Sequence, residues 1–411
     1  MAKIRTRIAP SPTGLFHIGT ARTVLFNYLF AKKHKGDFIL RIEDTDKQRS
    51  EKKYEKDILN NLKWLGLKYD EIYYQSKRKE IYKKYLKQLL DSGHAYKDEI
   101  IWFKNPNKKI VFNDLVRGDI EFDSSLFGDF SIAKSLDEPL YNLAVVVDDH
   151  EMNISHVIRG EDHISNTPRQ ILIYQALGFD VPKFAHVPLI LGPDKSKLSK
   201  RHGTVSMSDY RGEGYLSNAL INFMALLGWN PGNDKEIFSL KELIKEFSLD
   251  KVQKGGAIFN INKLNWFNNQ YIKNTPSKEL AKLIKLKHTK LEKIIDIEKE
   301  RINKLTEIEI GFYSKLPKYS SSLLKWKDMK KAEIKQSLEK SYHILCDVKD
   351  FNEKSLKDIL IKNTENDKGR LLWPLRVALS GKKNSPSPFE IGEVLGKQET
   401  LKRIKKAISL L

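Results

Sequence analysis

The chain has 411 residues, which suits two to four domains of roughly 100–200 residues each. Apolar residues make up 40% and aromatics 10%, enough for packed cores, while 31% charged residues and the lack of any run of about 18 apolar residues exclude a membrane-spanning helix. The net charge of +20 is uneven: residues 1–250 carry +4 and residues 251–411 carry +16, so a polyanionic partner is expected at the C-terminal part, although a solvated lysine-rich surface has the same charge signature.

The N-terminus, MAKIRTRIAP, has no apolar signal segment, so a cytoplasmic location is expected. KIRTRIA reads as a strand. HIGTARTVLFNYLFAKKHKG reads as a helix, with Val24, Leu25, Tyr28 and Leu29 at three-to-four spacing and Gly36 after its end. DFILRIED is again a strand, and residues 49–65 form a helix with Ile58, Leu59, Leu62 and Leu65 on one face. This alternation predicts a parallel sheet with crossover helices. It breaks between about 91 and 140, where short β-like runs are separated by Asn, Pro, Gly and Asp, as in a small inserted α/β domain. The alternation resumes with LAVVVDDH and NISHVIRG, followed by a helix over 164–177. From about 239 onward helical patterns such as LKELIKEF and ELAKLIKL take over. Cys346 is the only cysteine, which excludes an internal disulfide and a cysteine-rich zinc site; it reads as a small buried side chain.

Two stretches carry chemistry. RIAPSPTGLFHIGT, residues 7–20, runs from a strand through a Pro- and Gly-containing turn into a helix near His17. Helix N-termini present unpaired N–H groups and partial positive charge, which suits phosphate. His17 can donate to a triphosphate oxygen, and Gly19 admits close approach of a base or phosphate. GPDKSKLSKRHG, residues 192–203, gathers Lys195, Lys197, Lys200, Arg201 and His202 among Gly, Pro and Ser. Such a basic loop can compensate charge on a pyrophosphate leaving group. Taken alone, the first stretch reads more readily as an ordinary helix start and the second as a solvated lysine loop.

Together, H-I-G-T and K-L-S-K-R (197–201) resemble the two signature motifs of class I aminoacyl-tRNA synthetases. The flanking RIAPSPTG, ILRIEDTD, VVVDDH, VIRGEDHISNTPRQ and LSKRHG resemble the glutamyl branch, in order. PLRVALSG and FEIGEVLGKQETLKRI resemble the end of the bacterial-type enzymes. The resemblance implies a Rossmann-like parallel-sheet catalytic domain with a small α/β insertion, followed by an all-α anticodon-binding region. The expected limits are 1–90 and 141–238 for the two catalytic halves, 91–140 for a shortened acceptor-end-binding insertion, 239–275 for a helical stem-contact junction and 276–411 for the anticodon-binding region. It implies a ligase that joins L-glutamate to tRNA(Glu) through a glutamyl-adenylate, with ATP as substrate alongside Mg2+, no structural zinc or other protein-held metal, no membrane and a monomeric state.

The resemblance also assigns roles to residues. Glutamate binding falls on Arg7, Ala9, Ser11, Glu43, Tyr141 and Arg159; arginines suit a dicarboxylate because the guanidinium fork pairs bidentately with carboxylate. ATP binding falls on Pro10, His17, Gly19, Thr20, Glu161, Lys197, Ser199 and Lys200, with His17, Lys197 and Lys200 catalytic. The segment IEKERINKLTEI, 297–308, resembles the helix that reads the third anticodon base, which places the discriminating position on Arg301. Other readings are a pairing of Glu43 with Arg41 or a nearby lysine, Tyr141 as a core aromatic, and Arg301 pairing with Glu298 or Glu309.

Two departures stand out. Thr20 replaces the histidine usual in the wider class, which fits the glutamyl branch. The stretch between Tyr96 and Tyr141 is short and lacks the cysteine-bearing segment of typical relatives, although IVFNDLVRGDIEFD is present. A truncated paralogue without an anticodon-binding domain disagrees with residues 276–411, and glutaminyl-tRNA synthetase with their helical pattern. A catalytically inactive RNA-binding protein disagrees with the intact phosphate motifs.

Overall fold

The computed structural model describes residues 3–46 and 48–411, with the side chain of Lys200 outside that description. Two compact units follow one another, Met1–Asn268 and Asn269–Leu411.

The first unit begins with β1 (Arg5–Ile8), α1 (Ile18–Lys33), β2 (Asp37–Ile42), α2 (Lys52–Leu65), β3 (Glu71–Tyr74) and α3 (Lys79–Asp91). There follow β4 (Ala95–Lys97), β5 (Ile101–Phe103), β6 (Lys109–Asp114), β7 (Gly118–Asp123), β8 (Phe130–Ser135) and β9 (Glu138–Pro139). The chain continues through α4 (Tyr141–Glu151), β10 (His156–Gly160), α5 (Thr167–Leu177), β11 (Lys183–Val187), β12 (Ile190–Leu191), α6 (Met207–Gly212), α7 (Ser217–Leu226), α8 (Leu240–Glu246) and β13 (Ala257–Ile258).

The central sheet has the order β3-β2-β1-β10-β11-β6-β7. Its strands are parallel from β3 to β6, and only β7 runs antiparallel. From β1 the chain first builds outward to β2 and β3, then returns to place β10 on the other side. The order therefore reverses between β1 and β10, where a parallel α/β sheet opens a crevice at the carboxyl ends of its strands. Helix α1 covers this junction and is buried on most of its circumference, at Ile18, Ala21, Val24, Leu25, Phe26, Leu29 and Phe30. A Cβ on Gly36 would collide with the Ile4 carbonyl, so only glycine lets the chain turn back directly into β2.

LAVVVDDH, for all its valines, lies in helix α4. Every residue from Leu143 to Asp149 is buried, and a segment covered on all sides shows no helical period in its sequence. The segment 91–140 divides its strands: β4, β5, β8 and β9 form their own sheet, whereas the β6–β7 hairpin extends the central one. Ile101, Phe103, Phe130 and Ile132 share one hydrophobic cluster with Tyr82 and Leu86 of α3, Leu143 and Val147 of α4, and Ile173 of α5.

Helix α9 (Ile261–Asn274) leads into the second unit, where the helices among the described residues are α10 (Ser277–Leu283), α11 (Leu291–Glu298), α12 (Gly311–Ser314), α13 (Lys331–Cys346), α14 (Glu353–Lys362), α15 (Gly369–Ser380) and α16 (Pro388–Ile408), with no strand among them. Cys346 is half-buried there. One expectation fails. IEKERINKLTEI is not a helix, because α11 stops at Glu298 and only a short 3-10 turn, Leu305–Glu307, follows. Side chains satisfy the backbone instead: Asn269 Nδ2 donates to the Ile302 carbonyl at 2.6 Å, and Glu307 Oε2 accepts from Asn303 N at 2.7 Å. Among the described residues no helix is long and apolar enough to cross a membrane.

Candidate active site

A cavity of about 780 Å3 opens at the carboxyl ends of β1 and β10. Its lining includes Arg7, Ala9, Pro10, Ser11, His17, Gly19, Thr20, Glu43, Tyr141, Arg159, Lys197 and Ser199. Twelve residues singled out from separate stretches thus share one space. β1 supplies Arg7 and the turn after it Ala9, Pro10 and Ser11; the N-cap and first turn of α1 supply His17, Gly19 and Thr20; Glu43 directly follows β2, and β10 supplies Arg159.

The floor is a buried charge network. Arg7 lies against Asp149, with Nε 3.1 Å from Oδ1 and Nη2 3.2 Å from Oδ2. Arg41, fully buried, reaches Asp149 at 2.6 Å, Glu43 at 3.3 Å and Asp148 at 3.6 Å. Asp148 also accepts from Tyr82, Gln75 and Arg78. Burial raises the Glu43 pKa, opposed by Arg41 and Arg7. Glu43 therefore satisfies two readings at once: it pairs with Arg41 and it faces the cavity.

Arg159 differs from Arg7. It is 5% exposed, yet among the described residues it has no carboxylate partner. Nη2 donates to Thr167 Oγ1 at 2.8 Å and Nε to His186 Nε2 at 3.2 Å, while Nη1 is buried with no hydrogen-bond partner. An unpaired buried cation in a cavity is a site for an anion from outside. Tyr141 is 38% exposed, not a core aromatic, and its hydroxyl lies 3.1 Å from His163 Nδ1. Burial and then Arg159 pull the His163 pKa down to about 4, so that ring is neutral at pH 7.

The phosphate side is arranged differently from the sequence expectation. His17 is the N-cap of α1, and its Nδ1 accepts from Gly19 N at 3.1 Å and Thr20 N at 3.3 Å. The helix N–H groups expected to face phosphate are capped by the histidine itself. Nδ1 must then be unprotonated, leaving Nε2 as the N–H, 3.1 Å from Thr20 Oγ1. Burial, then Lys197, lowers the His17 pKa and favours this neutral form. Gly19 makes room for the ring: a Cβ there would sit 3.0 Å from His17 Cε1.

Across the cavity Lys197 Nζ pairs with Asp162 at 3.0 Å. The 192–203 loop is built on Asp194, which accepts from Ser196 and faces Arg201 at 3.4 Å and His202 at 3.2 Å. The Lys200 side chain falls outside the described residues. Glu161 does not line the cavity. Its carboxylate is taken by Arg117 and by Leu189 N, so it ties β10 to neighbouring loops. Arg301 lies in the second unit, in the turn after α11. Its partner is neither Glu298 nor Glu309 but Glu390 at 3.0 Å, with the Ile297 carbonyl at 2.6 Å.

The sequence reading missed Asp149, His163, Thr167, His186 and Asp114. The only signal for the first was a pair of acids at the end of an apolar run, which must find buried partners if the run is buried.

Comparison with known proteins gives the family. Residues 3–101 and 97–266 match the catalytic domain of class I tRNA synthetases (E and Q), and residues 269–408 match an anticodon binding domain. The chain is 39% identical to glutamate–tRNA ligase 2 of Thermoanaerobacter pseudethanolicus over 100% of this chain and 99% of that one. The chain belongs to the glutamate–tRNA ligase family of class I tRNA synthetases. It is also 43% identical to glutamate–tRNA ligase 1 of Petrotoga mobilis, covering 98% of this chain and 97% of that one. Its fold superposes with a TM-score of 0.89 on a glutamate tRNA ligase from Elizabethkingia meningosepticum solved in complex with its amino acid, at 33% identity over 100% of both chains. The Thermoanaerobacter alignment spans 475 positions, so at least 64 of them have no residue in this chain.

Proposed function

We propose that the protein joins L-glutamate to tRNA(Glu) at the expense of ATP, and that the cavity at the ends of β1 and β10 performs both steps. The observation that carries the reading is the Arg159 guanidinium, buried without an acid and with Nη1 free, in the same cavity as both phosphate motifs. Arg159 binds the side-chain carboxylate of glutamate. Arg7, neutralised by Asp149, shapes the pocket with Ala9, Ser11 and Tyr141, and Glu43 faces the substrate ammonium. The α-carboxylate attacks the α-phosphorus of ATP, forming the mixed anhydride and expelling pyrophosphate. A terminal ribose hydroxyl of the tRNA then attacks the acyl carbon and AMP leaves. No protein nucleophile is required; catalysis rests on positioning by the neutral His17 and on charge compensation by Lys197 and Lys200. Pro10, Gly19, Thr20 and Ser199 border the nucleotide. Mg2+ arrives on the ATP phosphates, as this ion commonly binds. The decisive test is ATP- and tRNA-dependent attachment of labelled glutamate, with tRNA-Glu and tRNA-Gln compared side by side. No transfer to either would count against the whole reading and for an inactive RNA-binding protein.

Lys200→Ala is expected to slow adenylate formation by about 3–4 kcal/mol of transition-state stabilisation while glutamate affinity stays nearly constant. Pyrophosphate exchange with tRNA present measures it. An unchanged kcat with only a higher KM for ATP would show that the lysine binds ground-state nucleotide alone.

Segment 91–140 acts as the acceptor-end domain, 239–275 as the stem junction and 276–411 as the anticodon reader of a monomeric, cytoplasmic enzyme. The catalytic-domain match comes in two pieces meeting at 97–101, which supports placing the shortening at the turn between β4 and β5. Segment 91–140 carries six Lys and Arg against ten Asp and Glu, so the phosphate grip falls chiefly to residues 251–411, with their +16 charge. Arg301, held by Glu390, favours C over G at the third anticodon position, a contact worth roughly 1–3 kcal/mol. Arg301→Gln is expected to narrow the ratio of kcat/KM between tRNA-Glu and tRNA-Gln. An untouched ratio would remove Arg301 from anticodon discrimination.

A further inference from the structure

The guanidinium of Arg159 can select a carboxylate only if its free edge is aimed, and among the described residues no carboxylate bonds to it directly. Its orientation comes from the neighbouring strand. Arg159 on β10 and His186 on β11 are register partners in the parallel ladder. His186 is fully buried. Arg159 Nε donates to His186 Nε2 at 3.2 Å, and because a guanidinium has no acceptor, Nε2 must carry the lone pair. The proton then sits on Nδ1, which donates to Asp114 Oδ2 at 2.7 Å. Asp114, at the end of β6 and 1% exposed, also accepts from the backbone N–H groups of His186 at 3.0 Å, Val116 at 3.0 Å and Arg117 at 2.9 Å. Thr167 Oγ1 closes the arrangement, accepting from Arg159 Nη2 at 2.8 Å and lying 3.0 Å from His186 Nε2. Two of the three guanidinium nitrogens are thereby occupied on one edge, and the one left over, Nη1, is the one without a partner.

We propose that Asp114 and His186 form a positioning relay that fixes the imidazole tautomer and so aims Arg159 at the substrate carboxylate. The proposal rests on Arg159 binding glutamate. Asp114 has three backbone donors besides His186, so it stays an anion that only accepts, and that dictates which ring nitrogen bears the proton. Burial lowers the His186 pKa, consistent with a neutral ring. With the opposite tautomer, Nε2–H would face Arg159 Nε–H donor to donor, and the fork would have to swing away. The relay also gives segment 91–140 a direct connection to the amino-acid pocket, because Asp114 opens the D-L-V-R-G turn between β6 and β7.

The test uses the full-length enzyme and four single variants. Asp114→Asn can donate its amide to His186 Nδ1 and stabilise the wrong tautomer. His186→Asn keeps a donor near the Nδ1 position but has no acceptor for Arg159. His186→Gln keeps an acceptor near the Nε2 position. The expected result is a rise in KM for glutamate on the order of 10–100-fold in Asp114→Asn and His186→Asn, as for other groups that orient a binding residue, with KM for ATP within about two-fold. His186→Gln recovers most of the glutamate KM, and adding Asp114→Asn to it has little further effect. A merely structural histidine would give the reverse, since His186→Gln strands the buried Asp114. Nitrogen-15 shifts of the wild-type His186 ring should report the Nδ1–H tautomer, and this readout stands even if a variant fails to fold. An Nε2–H tautomer, or equal glutamate KM in His186→Asn and His186→Gln, would overturn the relay. Arg159→Ala serves as the separate control: if it leaves glutamate use intact, the substrate assignment itself falls, whatever the relay variants do.

Discussion

An Arg159→Ala enzyme loses between about 100- and 10,000-fold in kcat/KM for glutamate and gains no use of glutamine. The figure follows from removing one partner of a buried, charge-assisted pair, which typically costs about 3–5 kcal/mol because the other charge is left desolvated and unmatched. On the proposed role of Arg159, the stranded charge is the carboxylate of the substrate. Among the described residues no second cation stands free to replace it, since Arg7 is already paired with Asp149 at 3.1 Å. Glutamine gains nothing, because the pocket keeps its charged walls and acquires no acceptor for an amide. The protein itself should tolerate the change. Thr167 Oγ1 and His186 Nε2, freed by the mutation, lie 3.0 Å apart and can hydrogen-bond to each other. Steady-state pyrophosphate exchange with tRNA present, beside a thermal melt, separates the two effects. An unchanged kcat/KM would take Arg159 out of the site.

The second large effect is on stability. Asp149→Asn keeps shape and removes the one charge shared by two buried arginines, Arg7 at 3.1 Å and Arg41 at 2.6 Å. Arg41 retains Asp148 and Glu43. Arg7 has no other carboxylate partner among the described residues. Breaking a buried pair from one side costs about 3–5 kcal/mol, which for a unit of this size lowers Tm by roughly 6–12 °C. The effect depends on pH. Burial would raise the Asp149 pKa, but Arg7 and Arg41 outweigh it and hold it below the usual carboxylate value. A depressed folded-state pKa gives stability that is fully present above the unfolded value, about 3.9, and is lost as pH falls through the folded value. The wild type should therefore lead the variant by the full margin at pH 7, and the gap should shrink below about pH 4. Denaturation curves at pH 7 and pH 3 check both points. Equal Tm values at pH 7 would mean that hydrogen bonding alone, which asparagine retains in part, holds the two arginines.

The sequence by itself showed the strand–helix alternation of the first unit and pointed to residues that the fold gathers around one cavity. Period-two and period-3.6 patterns are local, so β1, α1, β2 and α2 could be read from spacing alone. His17, Gly19 and Lys197 stand out because they lie in stretches whose residue types suit phosphate, whereas Glu43, Tyr141 and Arg159 are singled out only through the family resemblance of the motifs that hold them. Patterns failed where burial or side-chain competition overrode them. LAVVVDDH is enclosed on every side, so its composition had no face to display, and it folded as helix α4. Resemblance predicts a helix for IEKERINKLTEI, but its residues form turns in which Asn269 and Glu307 bond to its backbone. Only the tertiary structure could decide the pairing of charges. Arg7, Arg41 and Arg159 look alike in the sequence, and Glu43, Asp114, Asp149 and Glu161 are equivalent carboxylates there. Which arginine is neutralised and which is left open depends on which strands become neighbours. The placing of β10 between β1 and β11 brings His186 beside Arg159, and the extension of the sheet by β6 brings Asp114 beside His186. Such contacts join residues 27 and 72 positions apart. Desolvation makes each one consequential, because a buried cation without its own acid is stable only where the fold keeps a place for someone else's.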